Sequence, residues 1–170
     1  MCSLTPKTYT AAVLTVSDSS SLGEREDLSG PALVTLLQKH NFQVVATDIV
    51  PDDRTHIENA LLQLSERAQL VVSTGGTGIS ERDVTPEATQ AICERLIEGV
   101  AERMRAESAK KTPLAALSRA ICGTRGTSMI VNVPGSPKGA VESLEAVIDI
   151  FPHALELLAG NTKHDYLSKY

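Results

Sequence analysis

Residues 71–88 read VVSTGGTGISERDVTPEA. A short apolar run stops in three glycines and two threonines, meets Arg82 and Asp83, and then reaches Thr85-Pro86. The run from Leu70 to Ser73 is too short for a helix and has the composition of a buried strand. Thr is a good N-cap and Pro is tolerated in a first helical turn, so Thr85-Pro86 predicts a helix start. The unit is therefore strand, glycine-rich loop, helix. That unit is the building block of α/β folds with parallel sheets.

The same alternation extends in both directions. Ala11–Val16 (AAVLTV) is a compact apolar run and reads as a strand. Leu28–His40 places Leu33, Leu36, Leu37 and His40 at helical spacing, with Pro31 near its start. Phe42–Val50 is rich in β-branched residues and reads as a second strand. Thr55 and Glu58 have capping-box spacing, and Ile57, Leu61, Leu64 and Ala68 mark one helical face. The helix opened by Thr85 is expected to run through Ala91, Ile92 and Leu96, to be interrupted near Gly99 and to resume toward Ala109. Ile121–Cys122 and Ser128–Val133 read as strands around the turn GTRGT. Ser136-Pro137 predicts another cap and helix start, with Val141, Leu144, Ile148 and Phe151 on one face before Pro152 breaks or restarts it. A polar tail follows from Asn161.

These elements predict a three-layer α/β/α fold with a largely parallel central sheet. The 170 residues form a single domain with no repeat or linker, with a core from about residue 10 to 160. Ligands in such sheets bind beyond the carboxyl ends of the strands. That rule selects the loops SDSSS, PDDR, TGGTG and PGSPKG, all of them polar.

Composition narrows the function. The chain is 42% hydrophobic and 22% charged, a globular balance. A net charge of −5 with 3% aromatics and no Trp argues against nucleic-acid binding, which favours basic surfaces and stacking platforms. Cys2, Cys93 and Cys122 show no CxxC spacing and read as reduced thiols. His40, His56, His153 and His164 lack metal-ligand spacing and read as structural or solvent-facing. The first ten residues, MCSLTPKTYT, contain no apolar signal core, and no run is long enough to span a bilayer. A cytoplasmic protein without a membrane association is expected.

Four loops carry candidate chemistry, each with a plainer reading beside it. Gly75, Gly76, Thr77 and Gly78 suit a phosphate, because glycines let several N–H groups turn inward and the hydroxyl adds a donor; they equally suit a tight strand-to-helix connection. No GK[ST] follows, so the loop is not a P-loop. Lys138, in the first turn after Ser136, opposes the helix dipole. It is favoured there if an anion sits at the helix start, and is otherwise a solvated lysine. Asp52, Asp53 and Asp83 could converge on one cleft and hold Mg²⁺ with substrate phosphates; alternatively Asp53 caps a helix and Asp83 pairs with Arg82. Arg119 and Arg125 flank a strand and read as phosphate clamps or as surface charges.

Taken together, TVSD, EDLSG, IVPDD, STGGTG, RDVTPEAT, LSRAICGTRG and NVPGSPKG resemble, in order and interval, the molybdopterin-binding MoaB/Mog family. The RDVTPE and LSRAICGTRG segments look more like its adenylyltransferase branch, which includes the gephyrin G domain, than like the MoaB branch. The resemblance spans roughly residues 10–160. It implies a homotrimer that transfers AMP from ATP to the terminal phosphate of molybdopterin with Mg²⁺, releasing pyrophosphate and passing adenylyl-molybdopterin to a molybdenum insertase.

The resemblance also implies residue roles. Asp52 and Asp83 become the catalytic and metal-binding carboxylates. Gly75, Gly76, Thr77, Gly78, Ser136 and Lys138 become the molybdopterin site. Ser17, Asp18, Asp27, Ser29, Gly30, Pro134 and Gly135 become the nucleotide site. The alternative is a MoaB-like protein that binds pterin or nucleotide without turning it over.

Overall fold

A computed structural model describes residues 7–161. The N-terminal strand β1 (Tyr9–Val16) leads through a one-turn helix, α1 (Asp18–Ser21), into α2 (Ser29–Lys39). Then follow β2 (Phe42–Val50), α3 (Arg54–Arg67), β3 (Leu70–Thr74) and α4 (Thr85–Ile92). The chain continues through β4 (Arg95–Leu96), α5 (Glu98–Ala109) and a 3-10 turn (Pro113–Leu117). It ends with β5 (Cys122–Arg125), β6 (Ser128–Val133), α6 (Pro137–Glu145) and α7 (Phe151–Leu158). Cys2, His164 and the tail beyond Asn161 lie outside the described residues.

The six strands form one sheet in the order β2-β1-β3-β6-β5-β4. The first four are mutually parallel, and β5 and β4 add antiparallel pairings at one edge. Side chains alternate between two cores, as strand geometry requires. Ala11, Val13, Leu70, Val72, Met129 and Val131 face the core under α2, α5, α6 and α7. Ala12, Leu14, Val71 and Ile130 face the core under α3 and α4. The expected three layers are therefore present. Ile57, Leu61, Leu64 and Ala68 are all buried against the second core, as their spacing predicts.

Three local expectations are corrected. The helix entered at Thr85 stops at Ile92, short of Leu96, because Cys93 turns extended and Glu94 N–H donates to Thr124 O at 2.8 Å. Strand β5 thereby recruits Arg95–Leu96 as an edge strand, and Gly99 lies within the first turn of α5 rather than interrupting a helix. Thr55 and Glu58 form no capping box: Asp53 caps α3 by accepting from His56 N–H at 3.0 Å, while Glu58 pairs with Arg54 at 2.7 Å. Thr85 is the first helical residue rather than the N-cap, and its hydroxyl donates to Gly75 O at 2.9 Å.

Strand order reverses about β1: β2 lies on one side of it and β3 on the other. This is the topological switch point at which open α/β sheets place ligands. The hairpin side of the sheet, β5 and β4, contributes no carboxyl-end loop there.

Candidate functional site

The loop after β3 is fixed from below before it reaches solvent. Ser73 and Asn132 face each other across β3 and β6, and Asn132 Nδ2 donates to Ser73 Oγ and to Thr89 Oγ1, each at 2.8 Å. Thr74 Oγ1 donates to Pro134 O at 2.8 Å, so the β3 and β6 loops leave the sheet tied together. Gly75 and Gly76 then adopt φ of 100° and 64°, the left-handed region that side chains disfavour. A Cβ at Gly75 would also press on the Val16 carbonyl closer than 3.0 Å. The chain can cross the end of β1 here only because position 75 has no side chain.

Beyond the glycines, Ser80 N–H donates to Asp83 Oδ2 and Asp83 N–H donates to Ser80 O, both at 2.9 Å. This small reciprocal turn fixes the Asp83 carboxylate. Its Oδ1 takes no hydrogen bond among the described residues. Asp52 is held the same way across a longer gap: Asp18 N–H donates to Asp52 Oδ2, and Asp52 N–H donates to Asp18 Oδ1, both at 2.9 Å. Burial raises the Asp52 carboxyl above the ordinary range, and the negative charges of Asp18 and Asp83 add to this. Asp18 moves the other way, lowered first by its hydrogen bonds from Arg82 at 2.6–3.1 Å. Arg82 therefore pairs with Asp18, not with Asp83.

Two cavities open on this framework. The first, of about 400 Å³, is lined by Ser17, Asp27, Ser29, Asp52, Gly75, Gly76, Asp83, Gly135 and Ser136 among others. The second, of about 470 Å³, is lined by Gly76, Thr77, Gly78, Asp83, Pro134, Gly135 and Ser136 and by residues of 108–118, including Leu114 and Leu117. Gly76, Asp83, Gly135 and Ser136 belong to both. The four carboxyl-end loops thus meet, although β2 is an edge strand.

Most of the expected site residues are brought together, with some rearrangement. Gly75 lines the first cavity and Pro134 the second, while Gly76, Gly135 and Ser136 line both, so the two expected groups do not divide one to each cavity. Asp18 supports Asp52 from outside the lining. Asp27 accepts from Thr15 Oγ1 at 2.6 Å, Ser29 Oγ at 3.2 Å and Gly30 N–H at 3.0 Å, so it steadies the start of α2 as well as lining the cavity. Gly30 is buried beneath it. Ser136 caps α6 by accepting from Gly139 N–H at 3.2 Å, which leaves its hydroxyl hydrogen for another acceptor. Lys138 is exposed and lines neither cavity.

Sequence reasoning passed over Ser20, Arg25 and Glu26 in the first cavity and the 108–118 wall of the second. Arg25 and Glu26 sit in a loop without periodicity, Ser20 sits in the single turn of α1, and the wall comes from a segment that lies near the site only after folding. Cys93 and Cys122 are free, and burial pushes their thiols up to about 11 and about 12.

No group of three or more His, Cys, Asp or Glu among the described residues could by itself hold a metal. Asp52 and Asp83 offer two carboxylates, and Asp52 is partly desolvated while the nearby Arg82 guanidinium is paired with Asp18. Glu26 and Asp27 add charge to the same lining, against the single guanidinium of Arg25. This donor set suits Mg²⁺, which takes one or two carboxylates and completes its shell with phosphates and water.

Comparison with known proteins identifies the family. The family model described as "Probable molybdopterin binding domain" matches residues 12–153. A molybdopterin adenylyltransferase of Helicobacter pylori is 42% identical over 159 residues, covering 91% of this chain and 90% of its own. The Escherichia coli K12 protein of the same name is 36% identical over 170 residues, covering 90% of this chain and 87% of its own. Among solved structures, the molybdopterin biosynthesis enzyme MoaB of Thermus thermophilus superposes with a TM-score of 0.85 at 45% identity, over 90% of this chain and 98% of that one. With its fold, its carboxyl-end loops and these relatives in agreement, the chain belongs to the molybdopterin-binding domain family.

Proposed function

We propose that this protein acts in molybdenum cofactor biosynthesis as a molybdopterin adenylyltransferase, transferring AMP from ATP to the terminal phosphate of molybdopterin with release of pyrophosphate. The observation that carries this reading is the pair of cavities that share Gly76, Asp83, Gly135 and Ser136. A transfer between two anionic substrates needs two sites with one common wall. Relatives of similar length named molybdopterin adenylyltransferase support the reading.

In this reading ATP occupies the first cavity and molybdopterin the second. The molybdopterin phosphate attacks the α-phosphorus of ATP; the new P–O bond forms as the bond to the pyrophosphate oxygen breaks. The nucleophile is already anionic, so the protein's task is positioning and charge compensation more than proton transfer. Thr77 and the Ser136 hydroxyl hydrogen orient the pterin phosphate, and the N-terminus of α6 favours its charge. Asp52 and Asp83 would hold Mg²⁺, which would supply charge neutralisation for the phosphates and the pyrophosphate.

We take the protein to be a cytoplasmic homotrimer that hands adenylyl-molybdopterin to a molybdenum insertase. Exposed Leu96, Ile97 and Ile49 provide apolar surface for subunit contact, which light scattering in solution tests. None of the helices among the described residues is long and apolar enough to cross a membrane.

The test is pyrophosphate release from purified protein given molybdopterin, ATP and Mg²⁺. Release that requires all three establishes the transfer. Tight pterin binding without release would replace this reading with that of a pterin-binding protein.

A further inference from the structure

Arg119 lines neither of the two cavities, and yet it touches the site loop and the helix after it at four places. It lies in the segment between the 3-10 turn and β5. Its backbone N–H donates to Thr77 O at 2.9 Å. Its Nε donates to Gly78 O at 2.7 Å and its Nη2 to Asp83 O at 2.5 Å. Its Nη1 forms an ion pair with Glu87, in the first turn of α4. One residue therefore spans the loop from Thr77 to the helix that follows.

These contacts bear on both cavities at once. The loop carbonyls at 78 and 83 belong to no helix or strand, so they depend on a side-chain donor or water. The Asp83 residue is gripped from both ends, its carbonyl by Arg119 and its carboxylate by Ser80 N–H. A guanidinium carries several donors in a rigid plane and reaches two carbonyls and a carboxylate together. An ammonium is a point charge on a flexible stem and cannot match that set.

We propose that Arg119 is a positioning residue for the transfer: it sets the course of the loop from Thr77 to Asp83, and so the placement of the wall the two substrates share. It does so through backbone carbonyls and without touching either substrate. The inference deepens the adenylyltransferase reading and rests on it for its kinetic consequence.

The test compares Arg119→Ala and Arg119→Lys with wild type, using Arg103→Ala, in a distant surface pair with Asp149, as the control. The Arg119 variants are expected to lower kcat by about 100-fold, the cost typical of misplaced reacting groups. The KM for molybdopterin rises more than that for ATP, because the segment from Thr77 to Asp83 lines the second cavity through Thr77, Gly78 and Asp83 and the first through Asp83 alone. Guanidinium added below denaturing concentration restores part of the Arg119→Ala activity and none of the Arg119→Lys activity. Unchanged kcat, or equal rises in both KM values that guanidinium does not reverse, would overturn the inference.

Hydrogen exchange on the ligand-free protein separates this inference from the adenylyltransferase reading. The amides of residues 76–84 should exchange about tenfold faster in Arg119→Ala and slow again with guanidinium. If the wild type releases no pyrophosphate, the adenylyltransferase reading falls and exchange alone judges Arg119. If Arg119→Ala proves unfolded, the same measurement on Arg119→Lys decides. Unchanged exchange in a folded variant sinks the proposal.

Discussion

The two cavities share a wall but are built from opposite materials. The first is made by the carboxyl ends of β1, β2, β3 and β6 and carries Glu26, Asp27, Asp52 and Asp83 in its lining against Arg25 alone. The second is closed by the end of α5 and the 3-10 turn, with Leu114 and Leu117 beside hydroxyl groups, and takes its carboxylates from Asp83 and Glu142. One side concentrates negative charge and calls for a cation. The other offers apolar surface and neutral donors. The contrast suits a polyphosphate on one side and a heterocycle with a single phosphate on the other.

Asp83 belongs to both cavities, so its loss should produce the largest effect on turnover. Asp83→Asn is expected to lower pyrophosphate release by about 10²–10³-fold, the range for removing a main electrostatic group of a transition state. Calorimetry should find both substrates still bound. A variant with full turnover would remove Asp83 from the mechanism and dissolve the shared wall as its centre.

Gly75→Ala attacks the loop where it lines the first cavity. The left-handed backbone and the Val16 carbonyl both oppose a side chain there. A loss of about 2 kcal/mol is expected, a drop of roughly 4–8 °C in Tm for a domain of this size. An unchanged melting curve would mean that the loop can leave β3 by another route.

Thr77→Ala sharpens the comparison, because Thr77 lines the second cavity only. Molybdopterin affinity should fall about tenfold, a loss near 1.4 kcal/mol, with nucleotide affinity unchanged. Equal losses for both ligands would argue that the cavities do not divide the substrates.

The smallest effect concerns stability and pH. The folded carboxyl of Asp52 is raised above its ordinary value of 3.8, chiefly by burial. Its protonated form is favoured by folding, so that contribution is fully present below about 3.8 and is lost as pH rises through the higher folded value. At neutral pH the ionised Asp52 costs stability. Asp52→Asn should therefore raise Tm by about 2 °C at neutral pH, with the advantage shrinking as the pH falls toward 3.8. Mg²⁺ should raise the wild-type Tm more than that of the variant. A lower Tm for Asp52→Asn at neutral pH would show that the cleft does not store this charge.

The sequence by itself determined the strand-helix alternation, the two-sided core and the loops that face the cleft. It did so because these depend on contacts within about four residues along the chain or on periods of 2 and 3.6. The capping of α6 by Ser136 is of that kind. Asp53 capping α3 is also local, although the neighbouring Thr55 and Glu58 offered a competing signal.

Only the tertiary structure decided the rest. The helix after Thr85 was cut short by pairing of Arg95–Leu96 with β5, a partner far along the chain at Gly123 and Thr124. Arg82 found Asp18 across 64 residues, and Arg119 found Gly78 across 41. The wall of the second cavity arrived from the end of α5 and the 3-10 turn. Such contacts form because burial of the two cores fixes which segments become neighbours. A long charged side chain then pairs with whatever carboxylate or carbonyl that arrangement leaves within its reach.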